Sequence, residues 1–214
     1  ADSVEQTINS NSDNEGLFAA PGDVATVAGC EQAVSSAIEI LGGLDILVNC
    51  AGVGADVSLG ESDEALWDRT MSVNLKGTFF CCRAALGALR ESKGNIINIA
   101  SDAGLMGNPN SSIYCASKGG VVNMTRALAL ELSPQVRINC VCPGYVDTDM
   151  VRRDWIDKSE DPQSLEQMLC DYAPMKRMAT PAEIASSVLY LATAESGFVT
   201  GSALQVDGGS TAGH

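Results

Sequence analysis

Histidine is almost missing from this sequence: its only copy is His214, the last residue. That removes Ser-His-Asp triads, Cys-His pairs and His-ligated zinc from consideration, so a catalytic base has to be Tyr, Lys, Cys or a carboxylate. Positive charge is also scarce. Thirteen Lys and Arg face 27 Asp and Glu, and the resulting charge of -14 repels nucleic-acid backbones and anionic membrane surfaces. The acidic excess reads as a solvated surface, with steering of a cationic substrate as the lesser alternative. No apolar stretch reaches the ~20 residues that span a bilayer. The N-x-[ST] matches at Asn110 and Asn123 read as chance.

Cysteine, in contrast, is plentiful, with eight copies. Cys81 and Cys82 are adjacent, and Cys50, Cys115, Cys140 and Cys142 lie in apolar runs, a placement that suits reduced, packed thiols in a cytoplasmic protein. Cys140 and Cys142 alternate as on one strand face and lack a second Cys or His cluster at metal-ligand spacing, so no metal is expected.

The length of 214 residues and 45% hydrophobic content suit one domain spanning 1–214. Short apolar runs alternate with helical patterns, which predicts an α/β fold with a doubly wound parallel sheet in three α/β/α layers. The expected strands are Leu17 to Val24, Leu44 to Cys50, Asn95 to Ser101, Val136 to Cys142 and Ala203 to Val206. Most are apolar throughout, as strands covered on both faces are. Helices are expected over Ala25 to Ile40, over Ser62 to Leu89, and from Ser111 or Ser112 to the Ser133-Pro134 step. Another starts at Thr180-Pro181-Ala182-Glu183, where Thr is the N-cap and Glu completes a capping box. Residues 147–180 read as an irregular insertion over the end of the sheet.

Tyr114 and Lys118 are four apart, which in a helix places them on one face. The same spacing recurs at Tyr172 and Lys176, but Pro174 between them would break the helix. Before the first pair, the run from Asn95 delivers Ser101 to the carboxyl end of the sheet, where open parallel sheets bind ligands. Bringing a phenol from about 10 to near 7 needs about 4 kcal/mol, which an ammonium about 4 Å away supplies at an effective dielectric near 20. Tyr114 is thus the candidate acid or base, with Ser101 holding the substrate oxygen. Gly52 and Gly144, at strand ends, permit close backbone approach by a ligand.

Asn49-Cys50-Ala51-Gly52 after a strand, Asn74 in a long helix, Ser101, Tyr114-x-x-x-Lys118, Pro143-Gly144 and Val206-Asp207-Gly208-Gly209 together resemble the short-chain dehydrogenase/reductase family over residues 17–210, in its oxoacyl-reductase-like or alcohol- and sugar-dehydrogenase-like branches. The resemblance implies a Rossmann-like fold and a carbonyl-alcohol interconversion with NAD or NADP as hydride carrier. It makes Tyr114 the acid/base, Lys118 the group that lowers its pKa and holds the nicotinamide ribose, Ser101 the carbonyl-orienting hydroxyl, and Asn74 the anchor of a water beside Lys118. It assigns Asp23 and Val24 to the adenine and Asn49, Ala51 and Gly52 to the adenosine side. Pro143, Gly144, Val146 and Thr148 go to the nicotinamide and its phosphates. Asp2 matches the acidic residue for the ribose hydroxyls, which favours NAD. It also implies a small-molecule alcohol or ketone substrate and a homo-oligomer, a tetramer or dimer packed through the long helices.

The family's first strand and glycine-rich pyrophosphate turn are not in this sequence, so they are expected upstream of residue 1, with the working protein longer than the chain. Cys50 stands where a second Asn is usual, and Asp102 where a second Ser is common. Two other readings stay open: a truncated non-catalytic paralogue serving as a subunit or scaffold, and an epimerase or dehydratase using the same Tyr and Lys. Substrate pocket residues are expected from Leu105 to Ser111, from Tyr145 and from the 147–180 insertion.

Overall fold

The computed structural model describes residues 16–54 and 56–213. Four parallel strands, β1 (Ile46–Asn49), β2 (Asn95–Ile99), β3 (Arg137–Pro143) and β4 (Ala203–Val206), pair in sequence order. The register aligns Ile97 of β2 with Val48 of β1 and with Asn139 of β3. Parallel neighbours need crossovers, and helices supply them. Side chains of a strand alternate between faces. Ile96 and Ile138 therefore point to one face, under α1 (Val27–Leu41), α3 (Thr78–Ser92) and α4 (Ser112–Leu132). Ile97 and Val141 point to the other, under Leu191 of α7 (Pro181–Ala192). These four strand residues are fully buried, which is why the sheet reads as apolar runs rather than as alternation.

The α/β/α layering is as expected, but the described strand order runs one way, so the reversal of a doubly wound sheet lies outside it. Leu17 to Val24, expected as a strand, is not one. A cleft lined by Ala20, Val24, Leu47 and Val48 separates this segment from β1, so no ladder forms between them. Leu17, Phe18, Ile46 and Val48 are consequently exposed.

The long helix expected over Ser62 to Leu89 is three pieces: α2 (Glu64–Met71), a π-helical turn over Ser72–Gly77, and α3. Asp63 caps it through Leu66 N, and the π turn carries Asn74. The expected end signals hold elsewhere. α1 stops at Gly42, which takes the left-handed φ of 75°, and Thr180 and Glu183 make both bonds of the capping box.

Buried polar bonds fix these elements relative to one another. Asn98, fully buried on β2, donates to Thr125 Oγ1 of α4 and accepts from Asn49 Nδ2 of β1, both at 2.9 Å. Arg137 donates to Ser196 and to the carbonyls of Leu191, Thr193 and Val199, so the start of β3 is tied to the end of α7.

Residues 147–180, expected to be irregular, contain two helices, α5 (Asp149–Asp154) and α6 (Pro162–Tyr172). They close a small core of Val151, Ile156, Leu169 and Met178. Arg152 pairs with Asp147 and Glu166 across this unit. Its hydrophobic positions were too far apart in sequence for one periodic signal.

Candidate active site

β2 ends at Ile99, and the chain turns through Ala100 and Ser101 into a short 3-10 turn, Asp102–Gly104. This turn packs directly on α4. A Cβ at Gly104 would lie 2.8 Å from the carbonyl carbon and oxygen of Lys118, so only glycine permits the approach. Lys118, 5% exposed, donates from Nζ to the Ile99 carbonyl at 2.8 Å. Its Nζ also stands 5.8 Å from the centre of the Tyr114 ring. The end of β2 and the first turns of α4 therefore fix Ser101, Tyr114 and Lys118 around one cavity.

The cavity holds about 290 Å³ and is lined on its far side by Pro143, Gly144, Val146 and Thr148, with Gly52 beside Lys118. Its outer wall is Tyr145, Met150, Val151 and Trp155. Tyr145 packs edge-on against both Trp155 and Tyr172, and the Tyr172 hydroxyl donates to Asn108 Oδ1 at 3.0 Å. The sequence expected Tyr145, part of the 105–111 loop and part of the insertion here, and Asn108, Ser111, Met150 and Trp155 do line it. The tyrosine of the second Tyr-Lys spacing ends α6, with Lys176 beyond the helix, as Pro174 demands.

Asn74 is buried beside the loop that follows β1. It donates to the Val53 carbonyl and accepts from Val53 N, each at 2.9 Å, and donates to Ser117 Oγ at 3.1 Å. Ser117 in turn donates to the Tyr114 carbonyl. A Cβ at Gly52 would stand 3.5 Å from Asn74 Oδ1 and 3.6 Å from Lys118 Nζ, so both groups flank that glycine. Asn74 thus ties the loop after β1 to α4.

The remaining assignments divide. Val24, Asn49 and Ala51 line the neighbouring cleft, which meets the main cavity at Cys50. The Asn49 amide is turned inward to Asn98 and to Cys82 Sγ, leaving its backbone side for a ligand. Asp23 accepts from Ala25 N at the start of α1. Asp2 lies outside the described residues.

The electrostatics differ from the expectation that Lys118 draws Tyr114 down. Burial of the phenol pushes the Tyr114 pKa up and the Asp102 charge adds to the rise, while Ser101 beside it works in the other direction. Lys118 is itself pulled down to about 8 by burial. At about 8 the amine still carries its proton at neutral pH, so the burial of Tyr114, and not a missing charge on Lys118, sets the direction. Asp102, 5% exposed, is raised by burial although Ser101, Ala103 N and Ser210 all bond it. No role was expected for it; its signal is a carboxylate directly after the serine that follows an apolar strand.

The nicotinamide end of a dinucleotide fits these residues. An ammonium has three donors, and Lys118, with one spent on Ile99, lines the cavity where ligand hydroxyls would be received. The glycine-bearing ends of β1 and β3 leave room for its bulk. Among the described residues there is no group of His, Cys, Asp and Glu placed to hold a metal, and no helix long and apolar enough to cross a membrane.

Sequence and structural comparisons agree with this geometry. The family model described as enoyl-(acyl carrier protein) reductase matches residues 1–211. The chain is similar to 2-(S)-hydroxypropyl-CoM dehydrogenase 3 of Xanthobacter autotrophicus, with 42% identity over 89% of this chain and 75% of the relative. It is 38% identical to meso-2,3-butanediol dehydrogenase of Serratia marcescens, over 89% of this chain and 73% of that one. The ligand-free aldohexose dehydrogenase of Thermoplasma acidophilum superposes with a TM-score of 0.84 at 31% identity, covering 90% of this chain and 77% of that one. The fold and site define an oxidoreductase with a Rossmann-like sheet. The chain belongs to the short-chain dehydrogenase/reductase family, whose dehydrogenases use NAD or NADP.

Proposed function

We propose that this enzyme interconverts a secondary alcohol and a ketone, with Tyr114 as the acid/base. The observation that carries the reading is the convergence of Ser101, Tyr114 and Lys118 on one cavity from a strand end and a helix. When bound, the nicotinamide supplies the carbon that accepts or donates hydride. In the oxidising direction the Tyr114 phenolate takes the hydroxyl proton as the carbinol hydrogen leaves with its electron pair. In reduction the phenol returns that proton to the new alkoxide. Ser101 hydrogen-bonds the reacting oxygen, and Lys118 passes protons between Tyr114 and solvent by way of a ribose hydroxyl, with Asn74 anchoring a water beside it.

The outer wall of Tyr145, Met150, Val151 and Trp155 supports an apolar group beside the carbinol carbon. Arg152, the nearby cation, already holds two carboxylates. NAD is favoured over NADP by the carboxylate of Asp2. We also assign the chain to a cytoplasmic homo-oligomer, since Trp67, Phe79 and Leu130 on the helices expected at the interface are exposed.

Tyr114→Phe tests the central claim. Turnover of a panel of secondary alcohols should fall by about 10²- to 10⁴-fold, while NADH binding, read by fluorescence titration, persists. Unchanged turnover would end the proposal. Failure of the wild type to bind either NADH or NADPH saturably would favour the subunit or scaffold reading instead.

A further inference from the structure

Asp102 is a buried carboxylate that the proton path above does not use. Its Oδ1 accepts the Ser101 hydroxyl at 3.0 Å and Ala103 N at 2.7 Å. Its Oδ2 accepts Ser210 Oγ at 3.3 Å, from the turn that follows β4 and lies 108 residues away in sequence. Ser101 Oγ meanwhile accepts from Ala103 N at 3.2 Å. A serine hydroxyl has one hydrogen. While that hydrogen lies on Asp102, it is not available to a phenolate at Tyr114 or to a substrate oxygen.

We propose that Asp102 is a positioning residue: its carboxylate, anchored by Ser210, holds the Ser101 hydroxyl hydrogen and yields it to Tyr114 or to the reacting oxygen when the carboxylate takes up a proton. The inference rests on the reading of Ser101 and Tyr114 as the reacting pair. It gives the C-terminal turn a direct hold on the site. The fold supports it, because the strand end that presents Ser101 cannot move without carrying Asp102 and its bond to Ser210.

The groups facing this switch are few. Asp102 meets Asp207 and Ser210 from the C-terminal turn, Cys142 from β3, Tyr145 from the loop after it, Tyr172 from α6 and Tyr114 from α4. Tyr114 meets Asp102 and Tyr145 across the cavity and Cys115 and Lys118 on its own helix. Asp207 is held charged by bonds from Thr211 and Gly209, which keeps a second negative charge on the same side and favours protonation of Asp102.

The test needs no substrate. Near-ultraviolet phenolate absorbance is titrated against pH, and the curve of the Tyr114→Phe variant is subtracted to isolate Tyr114. Asp102→Asn should move the Tyr114 midpoint down by about one unit. In a Ser101→Ala background the same substitution should move it by less than half as much, since the hydrogen it releases is gone. A midpoint that does not move, or one that moves equally in both backgrounds, overturns the proposal; the second result would mean a loosened turn or a bare charge effect. Should Asp102→Asn not fold by circular dichroism, Ser210→Ala, which takes a donor from the ionised carboxylate and so tightens its hold on the Ser101 hydrogen, should move the midpoint up instead, and no movement or a downward one there overturns the proposal too. Turnover of Tyr114→Phe reports on the functional reading separately, so the two failures are distinguishable.

Discussion

Replacing Lys118 with methionine should make the protein more stable while removing its activity. Lys118 is 5% exposed, and burial draws its pKa from 10.5 to about 8. The gap is about 2.5 units, which at 1.36 kcal/mol each is a cost of about 3 kcal/mol for holding the charged form in the fold. Methionine keeps the unbranched length and fills the same channel. It loses the bond to the Ile99 carbonyl, worth about 1 kcal/mol, so the net gain near pH 6.5 is about 2 kcal/mol. The pH dependence separates this from generic repacking. Below about 8 the amine is protonated in both folded and unfolded states and the full cost is present. Between about 8 and 10.5 the unfolded chain binds more protons than the folded one, so wild-type stability rises with pH and the advantage of the variant shrinks. Urea unfolding of both proteins at pH 6.5 and pH 9.5 measures this directly. A Lys118→Met variant that is less stable at pH 6.5, or an advantage that does not shrink at pH 9.5, refutes the reasoning.

Two further substitutions test how the site is held. Gly104→Ala puts a Cβ 2.8 Å from the Lys118 backbone, which must displace either the Ser101 turn or α4. We expect a loss of about 1–3 kcal/mol by urea unfolding with a disproportionate fall in kcat, and wild-type kcat would show that the contact is not needed to align Ser101 with Tyr114. Arg137→Met takes the guanidinium from the carbonyls of Leu191, Thr193 and Val199, which keep Ser196 Oγ or Asn139 Nδ2 as donors. It should cost about 1–2 kcal/mol with NADH affinity unchanged, and a neutral effect on stability would mean that Ser196 and Asn139 alone hold the end of α7.

Spacing in the sequence disclosed the proposed reacting residues because their geometry is local. Tyr114 and Lys118 are one helical turn apart, and Ser101 follows an apolar strand, so period and position alone bring them to one end of the sheet. Asn74 was found by motif order, but its bonds to Val53 and Ser117 depend on the π turn at Ser72–Gly77, which carries no periodic signature distinct from the α-helix around it. Leu17 to Val24 has strand composition, yet a strand exists only where a ladder partner lies alongside, and composition holds no information about that. Arg152 shows the same limit in the insertion. Its partners Asp147 and Glu166 are neighbours only after α5 and α6 have formed.

Asp102 and Lys118 also show what the site costs the fold. They carry opposite charges beside one cavity, yet for each the largest influence is burial rather than attraction to the other. Direct pairing would relieve that cost, but it would take the ammonium away from bound hydroxyls and the carboxylate away from Ser101. Their stability contributions therefore have opposite slopes. Asp102, raised in the fold, binds its proton more tightly there than in the unfolded chain, so its contribution falls as pH rises through the carboxylate range. The Lys118 contribution recovers only above about 8. Between the two both groups are charged, and the wild type carries both costs at once. Subtracting the unfolding curve of Asp102→Asn from that of the wild type should isolate the falling slope, and subtracting that of Lys118→Met the rising one. A rising slope in the Asp102 curve together with a falling one in the Lys118 curve would mean that the residues are paired, and that the site is not held open at the expense of stability.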